Sequence, residues 1–471
     1  MRTLTAMALL LVLAGCTVGP DYHRPEQPLP QGFKEGAAFE RAAANPQGAL
    51  GSQWWRDYHD ATLDRLIAQA TTANQSIIAA EAAYRLATAQ VAASRASLWP
   101  TLGVGVSGTR GEGDTGSSGG QAAVAGGVNQ SVSATLTASW EPDLWGQVRR
   151  GIESSNALAQ SSDALLAGVR LSIAANVATD YFAVRQLDLD IRLLQQQQAI
   201  DQQLQTMTQA EFTQGTATND QLLVAQDQLT TVVADLQGSQ RSREQYEHAL
   251  AVLVGQAPAQ FTLAPQADYT FAVLRPPLTL PSGLLQRRPD VVSAERTAAA
   301  ANARIGVAEA AFYPNLTLTA EGGYRGSALG GLFSLPNRVW LLGPALAETI
   351  FDGGARRAAV TEAQATYDQD AANYRGAVLT ALQNVEDNLS ALNHLRSQAQ
   401  AYEQIFLRNQ QLFGSQQAQQ QAGTVSTQNV LTQQLVLLQA EQNLRDTQGQ
   451  LSQGSVALIQ SLGGGWQSGG Q

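Results

Sequence analysis

Cysteine is nearly absent from this sequence. Cys16 is the only one in 471 residues, so no disulfide within the chain can brace the fold, whatever its compartment. Charged residues and aromatics are scarce as well, at 14% and 6%. The net charge is −10 with no basic block, which argues against nucleic acid as a partner. Beyond the N-terminus no apolar run reaches the roughly 18 residues that a membrane helix needs, so none is expected in the mature chain. His23, His59, His248 and His394 are scattered without ligand spacing. They read as ordinary surface or seam residues, and no metal site is expected.

What is present is glutamine, alanine and repetition. Gln and Ala crowd the helical stretches, and Gly and Ser crowd two short zones near 103–133 and 322–334. The clearest repeated stretch runs from Gly215 to Gly255, and its second copy from Gly423 to Gly463. Each opens on a Gly-Thr turn, Gly215-Thr216 and Gly423-Thr424, and continues as a long polar helix. Leu222, Leu229, Leu236 and Leu250 recur by sevens or a double seven, and Val430, Leu437, Leu444 and Leu458 answer them 208 positions later. Arg243 breaks the first series where Leu451 completes the second. A seven-residue apolar period marks a helix packed along a seam of other helices. Two such copies imply a duplicated architecture.

The elements around them recur in the same order. A helix from about Leu63 to Leu98 carries Leu63, Leu66, Ile67 and Ile77 on one stripe and ends at Pro100. Alternating runs near 101–110 and 130–141, joined by a Gly/Ser loop over 111–127, predict a β-hairpin with unlike faces. About 65 residues without proline, from Gln147 to Phe212, predict a rod of about 100 Å. The second half repeats this with a helix over Leu284–Phe312, strands near 315–325 and 338–348, and a long helix running to Gly423. Phe312-Tyr313-Pro314 answers Leu98-Trp99-Pro100, and Ile350-Phe351-Asp352-Gly353-Gly354 with its arginines answers Leu144-Trp145-Gly146 with Arg149-Arg150. The expected division is a signal peptide over 1–15, an extended arm over 16–60, a first repeat over 61–258, a linker over 259–283, a second repeat over 284–463 and a tail over 464–471.

Four alternating strands cannot close a barrel, which takes about eight in a single chain, and lipid does not tolerate open edges. If the hairpins enter a membrane, several copies must share one barrel. Trp99, Trp140, Trp145, Tyr313 and Trp340 cluster near the strand ends. They suit a membrane interface or packing where sheet meets helix. A soluble sheet cap is the alternative.

At the N-terminus Met1-Arg2 supplies a positive start, and Leu4 to Ala14 is an apolar segment too short to span a bilayer, as in a secretory signal. Leu13-Ala14-Gly15-Cys16 resembles the lipobox of bacterial lipoproteins, which implies cleavage before Cys16 and N-acyl and S-diacylglycerol groups on it; more than one acyl chain gives stable anchoring. Thr17, where an Asp is absent, favours sorting to the outer membrane on the same resemblance. The following Val18-Gly19-Pro20-Asp21-Tyr22, the run Ser139-Trp140-Glu141-Pro142-Asp143-Leu144-Trp145-Gly146, and Ile350-Phe351-Asp352-Gly353-Gly354 with its following arginine carry a wider likeness. Over the whole mature chain the sequence resembles the TolC-like outer-membrane efflux lipoproteins that serve resistance–nodulation–division pumps.

That resemblance implies a mainly α fold with a membrane β-barrel contribution, in which a homotrimer makes a 12-stranded β-barrel continuous with a periplasmic α-helical barrel. It implies an exit duct of a tripartite efflux system, partnered by a periplasmic adaptor, an inner-membrane pump and outer-membrane lipid. Gly215, Thr216, Gly423 and Thr424 become the adaptor-docking hairpin tips. Relatives often carry aspartates six positions past the turn glycine, where they narrow the periplasmic aperture. Here those positions hold Gln221 and Asn429, and Thr432 lies nine past the second glycine, so a neutral amide constriction is expected. Two other readings stay open: the outer duct of type I protein secretion, and a helical lipoprotein tethering envelope layers.

No enzyme chemistry is expected. Gly103, Gly105 and Gly108 satisfy GxGxxG but sit in an alternating strand, whereas a dinucleotide site needs the turn to open a helix. Glu141 and Asp143, at a strand-to-helix junction, read as capping groups rather than an acid–base pair. No cofactor is expected beyond the lipid.

Overall fold

The computed structural model describes residues 17–38, 51–112, 128–276, 278 and 281–466. Cys16 and the residues before it, expected as a signal peptide, residues 39–50 of the expected arm, the expected loop segment 113–127 and the end of the tail lie outside the described residues. The elements fall in two matching successions. The first is α1 (Ala61–Ala73), α2 (Gln75–Ala96), β1 (Thr101–Glu112), β2 (Val128–Trp140), α3 (Gln147–Thr213) and α4 (Asn219–Leu253). The second is α5 (Leu284–Arg287), α6 (Pro289–Ala310), β3 (Asn315–Gly326), β4 (Arg338–Ala347), α7 (Ala355–Gln421) and α8 (Thr427–Ser461). The match is numerical: α3 and α7 both have 67 residues, and α4 and α8 both have 35. At 1.5 Å per residue the long helices run about 100 Å and the return helices about 50 Å.

Two helices expected as single rods are broken. Leu63–Leu98 divides at Asn74, which is extended at ψ 126°. Its Oδ1 accepts from the amides of Ser76 and Ile77 at 2.9 and 3.3 Å, capping α2, while its Nδ2 donates to the Leu253 carbonyl at 2.8 Å. A short amide side chain that offers the backbone another partner ends one helix and starts the next. In the second half Arg288 is extended before Pro289, because the proline ring disfavours helical geometry in the residue ahead of it. The break separates α5 from α6.

The chain forms two compact units. The second comprises Glu26–Ala83, Ser162–Ala294 and Tyr374–Gln471. Its main core joins Trp54, Tyr58, Leu63, Leu66 and Ile67 to Val177, Tyr181 and Phe182 of α3, Leu250 of α4 and Val456 and Ile459 of α8. Each fully buried aliphatic side chain there stabilises by about 1.5–3 kcal/mol. Asp60 ties three elements together. Its Oδ1 caps α1 through the amides of Thr62 and Leu63, and its Oδ2 accepts from the hydroxyls of Tyr181 at 2.7 Å and Tyr269 at 3.0 Å. The heptad residues Leu222, Leu236, Leu250, Val430, Leu444, Leu451 and Leu458 are buried, and Leu229 and Leu437 are half-buried.

Arg243, the break in the heptad, has a job of its own. It donates to Asp188 of α3 at 2.6 Å and to the Leu263 carbonyl at 2.7 Å, and pairs with Glu247. Arg185 meets the same Asp188 at 2.9 Å and the Ala264 carbonyl at 2.8 Å, and its guanidinium lies over the Tyr181 ring. The amides of Gln266 and Leu263 donate to Asp188 and Glu247, both at 2.9 Å. These bonds fasten the segment after α4 to the helices beneath it. Arg243→Leu restores the heptad yet strips a cation from Asp188, whose side chain is 1% exposed. The expected result is a loss of about 2–4 kcal/mol in denaturant unfolding of the purified protein, where a plain seam position would gain.

Candidate functional site

The first unit comprises Met1–Pro25, Tyr84–Ser161 and Glu295–Asn373 and holds a four-stranded antiparallel sheet in the order β1-β2-β3-β4. Register decides its two faces. Val104 pairs with Leu136, Leu136 with Gly322 and Gly322 with Trp340; Leu102, Ala138, Ala320 and Leu342 form the next row. Directly opposed residues share a face, so one side is a continuous apolar surface. The other carries Ser107, Ser133, Thr135, Thr137, Thr317, Thr319 and the Glu321–Arg325 pair on β1 to β3, with Val339, Leu341 and Ala345 on β4. The apolar side is uncovered: Val104 is 78% exposed, and Trp340 and Leu342 are each 77% exposed. In the single chain β1 and β4 are edge strands, each paired on one side.

Where sheet meets helix, aromatics pack on one another. Trp145 stacks on Tyr313 at 4.9 Å and donates to the Pro314 carbonyl at 2.8 Å, while Trp140 donates to the Leu98 carbonyl at 3.0 Å. Asp143 accepts from the amide and the Nε of Arg149 at 2.9 and 3.1 Å. Asp352 does the same for Arg356, and also accepts from the Gly354 amide. The Arg356 side chain first, then these amides, pull the Asp352 carboxyl down to about 2. Both aspartates therefore hold a helix start in place.

The arm past Cys16 is fastened to the first unit by specific bonds. Val18 donates its amide to the Trp145 carbonyl at 3.1 Å. Arg150, its side chain only 5% exposed, reaches the carbonyls of Val18 and Gly19 and the carboxylate of Asp21. Asn302 donates to the Pro20 carbonyl at 2.9 Å, and the Tyr22 hydroxyl donates to Glu295 at 2.7 Å. Burial, then that bond, raises the Tyr22 hydroxyl above its ordinary value. The arm lies so close to α6 that a Cβ at Gly306 would stand 2.8 Å from the Val18 carbonyl oxygen. Thr17, the expected sorting residue, sits against Gly146 at the start of α3.

The two hairpin tips share one local geometry within the second unit. Gly215 and Gly423 both have φ 75°, a left-handed turn that costs other residues roughly 1–2 kcal/mol. Thr216 donates its amide and hydroxyl to the Glu211 carbonyl, both at 2.9 Å; Thr424 does so to the Gln419 carbonyl, both at 3.0 Å. Thr218 and Gln221 then form a reciprocal capping box, so the Gln221 amide oxygen is engaged by the Thr218 amide at 2.8 Å. In the second tip Ser426 caps the Asn429 amide at 3.3 Å. A groove of about 340 Å³ gathers Gln221 and Thr432 with Glu211, Asp220 and Gln428; Asn429 is not among its walls. Two of the three residues assigned to the aperture thus meet. Asp220, one residue from the expected position, is beside them, which the six-residue spacing alone passes over.

Comparisons with known proteins agree along the chain. A family model described as outer membrane efflux protein matches residues 66–256 and 280–464, once in each succession of elements. The toluene efflux pump outer membrane protein TtgC of Pseudomonas putida is 30% identical, with 99% of this chain and 96% of the relative covered. The pyoverdine export outer membrane protein OpmQ of Pseudomonas aeruginosa is 31% identical, with 99% of this chain and 98% of the relative covered. The solved outer-membrane channel OprN superposes with a TM-score of 0.85 at 26% identity, over 96% of this chain and all of that one. Fold and likeness together define an outer-membrane efflux channel. The chain belongs to the outer membrane efflux protein family.

Arg150→Ala removes the arm's buried clamp. Limited proteolysis of the folded protein is expected to cut within residues 17–25 at least about tenfold faster than in the wild type, since a few lost charge-assisted bonds release a segment otherwise held against the helices. An unchanged rate would show that the remaining contacts suffice.

Proposed function

We propose that the chain is the exit duct of a tripartite efflux system, in which three copies close their sheets into one 12-stranded barrel and solutes pass without chemistry from periplasm to exterior. The observation that carries this is the open sheet: an uncovered apolar face, a polar face, and two unpaired edges in the single chain. In hydrocarbon such edges are satisfied only by closure with other copies. On this reading the apolar rows face lipid and the Ser/Thr rows line the lumen. The clamped arm supports a diacylglycerol and N-acyl anchor on Cys16, because Thr17 is held at the strand-to-helix junction, where a membrane surface would lie. The tips around Gly215, Thr216, Gly423 and Thr424 serve as the docking surface for a periplasmic adaptor, which an inner-membrane pump completes. TtgC and OpmQ are named for toluene and pyoverdine and yet align end to end with this chain. That supports placing choice of cargo in the pump rather than the duct.

In a planar bilayer the purified protein is expected to give discrete channel steps; absence of conductance from a folded, membrane-inserted oligomer would falsify the duct. The aperture is tested separately. Gln221→Glu keeps the acceptor that caps α4 and adds a carboxylate, so the reversal potential is expected to shift toward greater cation selectivity. An unshifted potential would take Gln221 off the conduction path.

A further inference from the structure

Asp190 of α3 combines burial with an unpartnered oxygen. It is only 8% exposed, and its Oδ1 has no hydrogen-bond partner among the described residues. Its neighbour across the seam is another carboxyl, Asp446 of α8, whose Oδ1 is already taken by the Gln186 side-chain amide at 3.1 Å. Gly449, one turn along α8, leaves the room Gln186 occupies, since a Cβ there would stand 2.6 Å from the Gln186 Oε1. The cations of the surrounding elements are committed elsewhere. Arg192 meets Glu441 at 3.0 Å and Asp268 at 3.6 Å, and Arg445 lies 3.9 Å from Glu441 and donates to Gln448. Arg185 and Arg243 of α3 and α4 hold Asp188. On α7, burial and then the charge of Arg275 lower the Arg396 guanidinium. Among the described residues, no cation shifts the titration of either aspartate.

Two adjacent carboxylates with no cation, one of them desolvated, cannot both be charged at modest cost. A single proton resolves the conflict: a protonated carboxyl is a donor, and the second carboxyl accepts it. We propose that Asp190 and Asp446 form a buried proton-binding site, one proton shared between two carboxyls, which holds α3 to α8 and loosens that seam when the proton leaves. The site joins one helix from each half of the duplicated chain, and it does not rest on the duct reading. Burial first, and the Asp446 charge second, push the Asp190 carboxyl up to about 8. Burial raises Asp446 as well. Aspartates in the unfolded chain ionise near the ordinary value of about 3.9. Between that value and about 8 the folded state binds more protons than the unfolded one, so the pair's contribution to stability falls as pH rises across the window and levels off above it.

The test is the unfolding midpoint of the full-length protein in detergent between about pH 6 and about pH 9, a span chosen to bracket the titration. The wild-type midpoint is expected to fall with rising pH, and Asp190→Asn, which carries a permanent donor in place of the proton, to flatten that profile. Asp446→Asn, which removes the neighbouring charge but not the burial of Asp190, should flatten it in part. Parallel profiles for wild type and both variants would overturn the proposal. Should neither variant fold, hydrogen exchange on the wild type decides. Protection of the α8 amides around Asp446, corrected for intrinsic chemistry, falls across the same span if the proton holds the seam. Constant protection means that it does not.

Discussion

A strand edge in hydrocarbon has nowhere to place its hydrogen bonds. Each unsatisfied backbone group there costs several kcal/mol, and in this chain β1 and β4 each present a full unpaired row. The rest of the molecule is intelligible as a response to that constraint. The β2–β3 pairing joins one hairpin from each half into a single sheet, so a protomer has two edges instead of four. On the duct reading, neighbouring copies then have one kind of joint to make, β4 against β1. The duplication supplies the parts, and closure determines how they are shared.

The helical part follows a different economy. Alanine and glutamine make poor cores, and much of the seam packing in the first unit comes from small residues such as Ala87, Ala157, Ala159, Ala299 and Ala300. Where a long helix also has to secure a connecting segment, the chain uses buried ion pairs. Arg243 takes the place of a leucine for that purpose, and Asp188 and Glu247 accept from backbone amides as well as arginines. Such networks are costly to half-satisfy, which explains why the heptad breaks in the first half and not in the second, where Leu451 is simply buried.

Much of this was legible in the residues because it is local and periodic. The Gly-Thr turns, the alternating strands and the long proline-free helices each carry their own signature, and comparing the halves made each one stronger. What escaped reading depends on partners far away in sequence. The break at Asn74 rests on a side chain that finds Leu253. Asp60 gains its role only when Tyr181 and Tyr269 converge on it, and Asp190 and Asp446 look like two ordinary helix-surface acids until α3 and α8 pack. At the tips the Gly-Thr pairs marked the turns but not the capping box that engages Gln221. Arg243 was the exception, because its interruption of the heptad is visible before its partners are.

The arm also has a consequence for how the chain is made. Its grip is divided between Arg150 in the first half and Glu295 and Asn302 in the second, the last two separated from their arm partners by 273 and 282 positions. A segment made before its partners is therefore among the last to find its place. It stays free while some three hundred residues follow it, since contacts between distant positions form only after the intervening chain has been ordered. That interval leaves the arm exposed, and docking then withdraws it. In this protein the order of synthesis and the order of closure run in opposite directions.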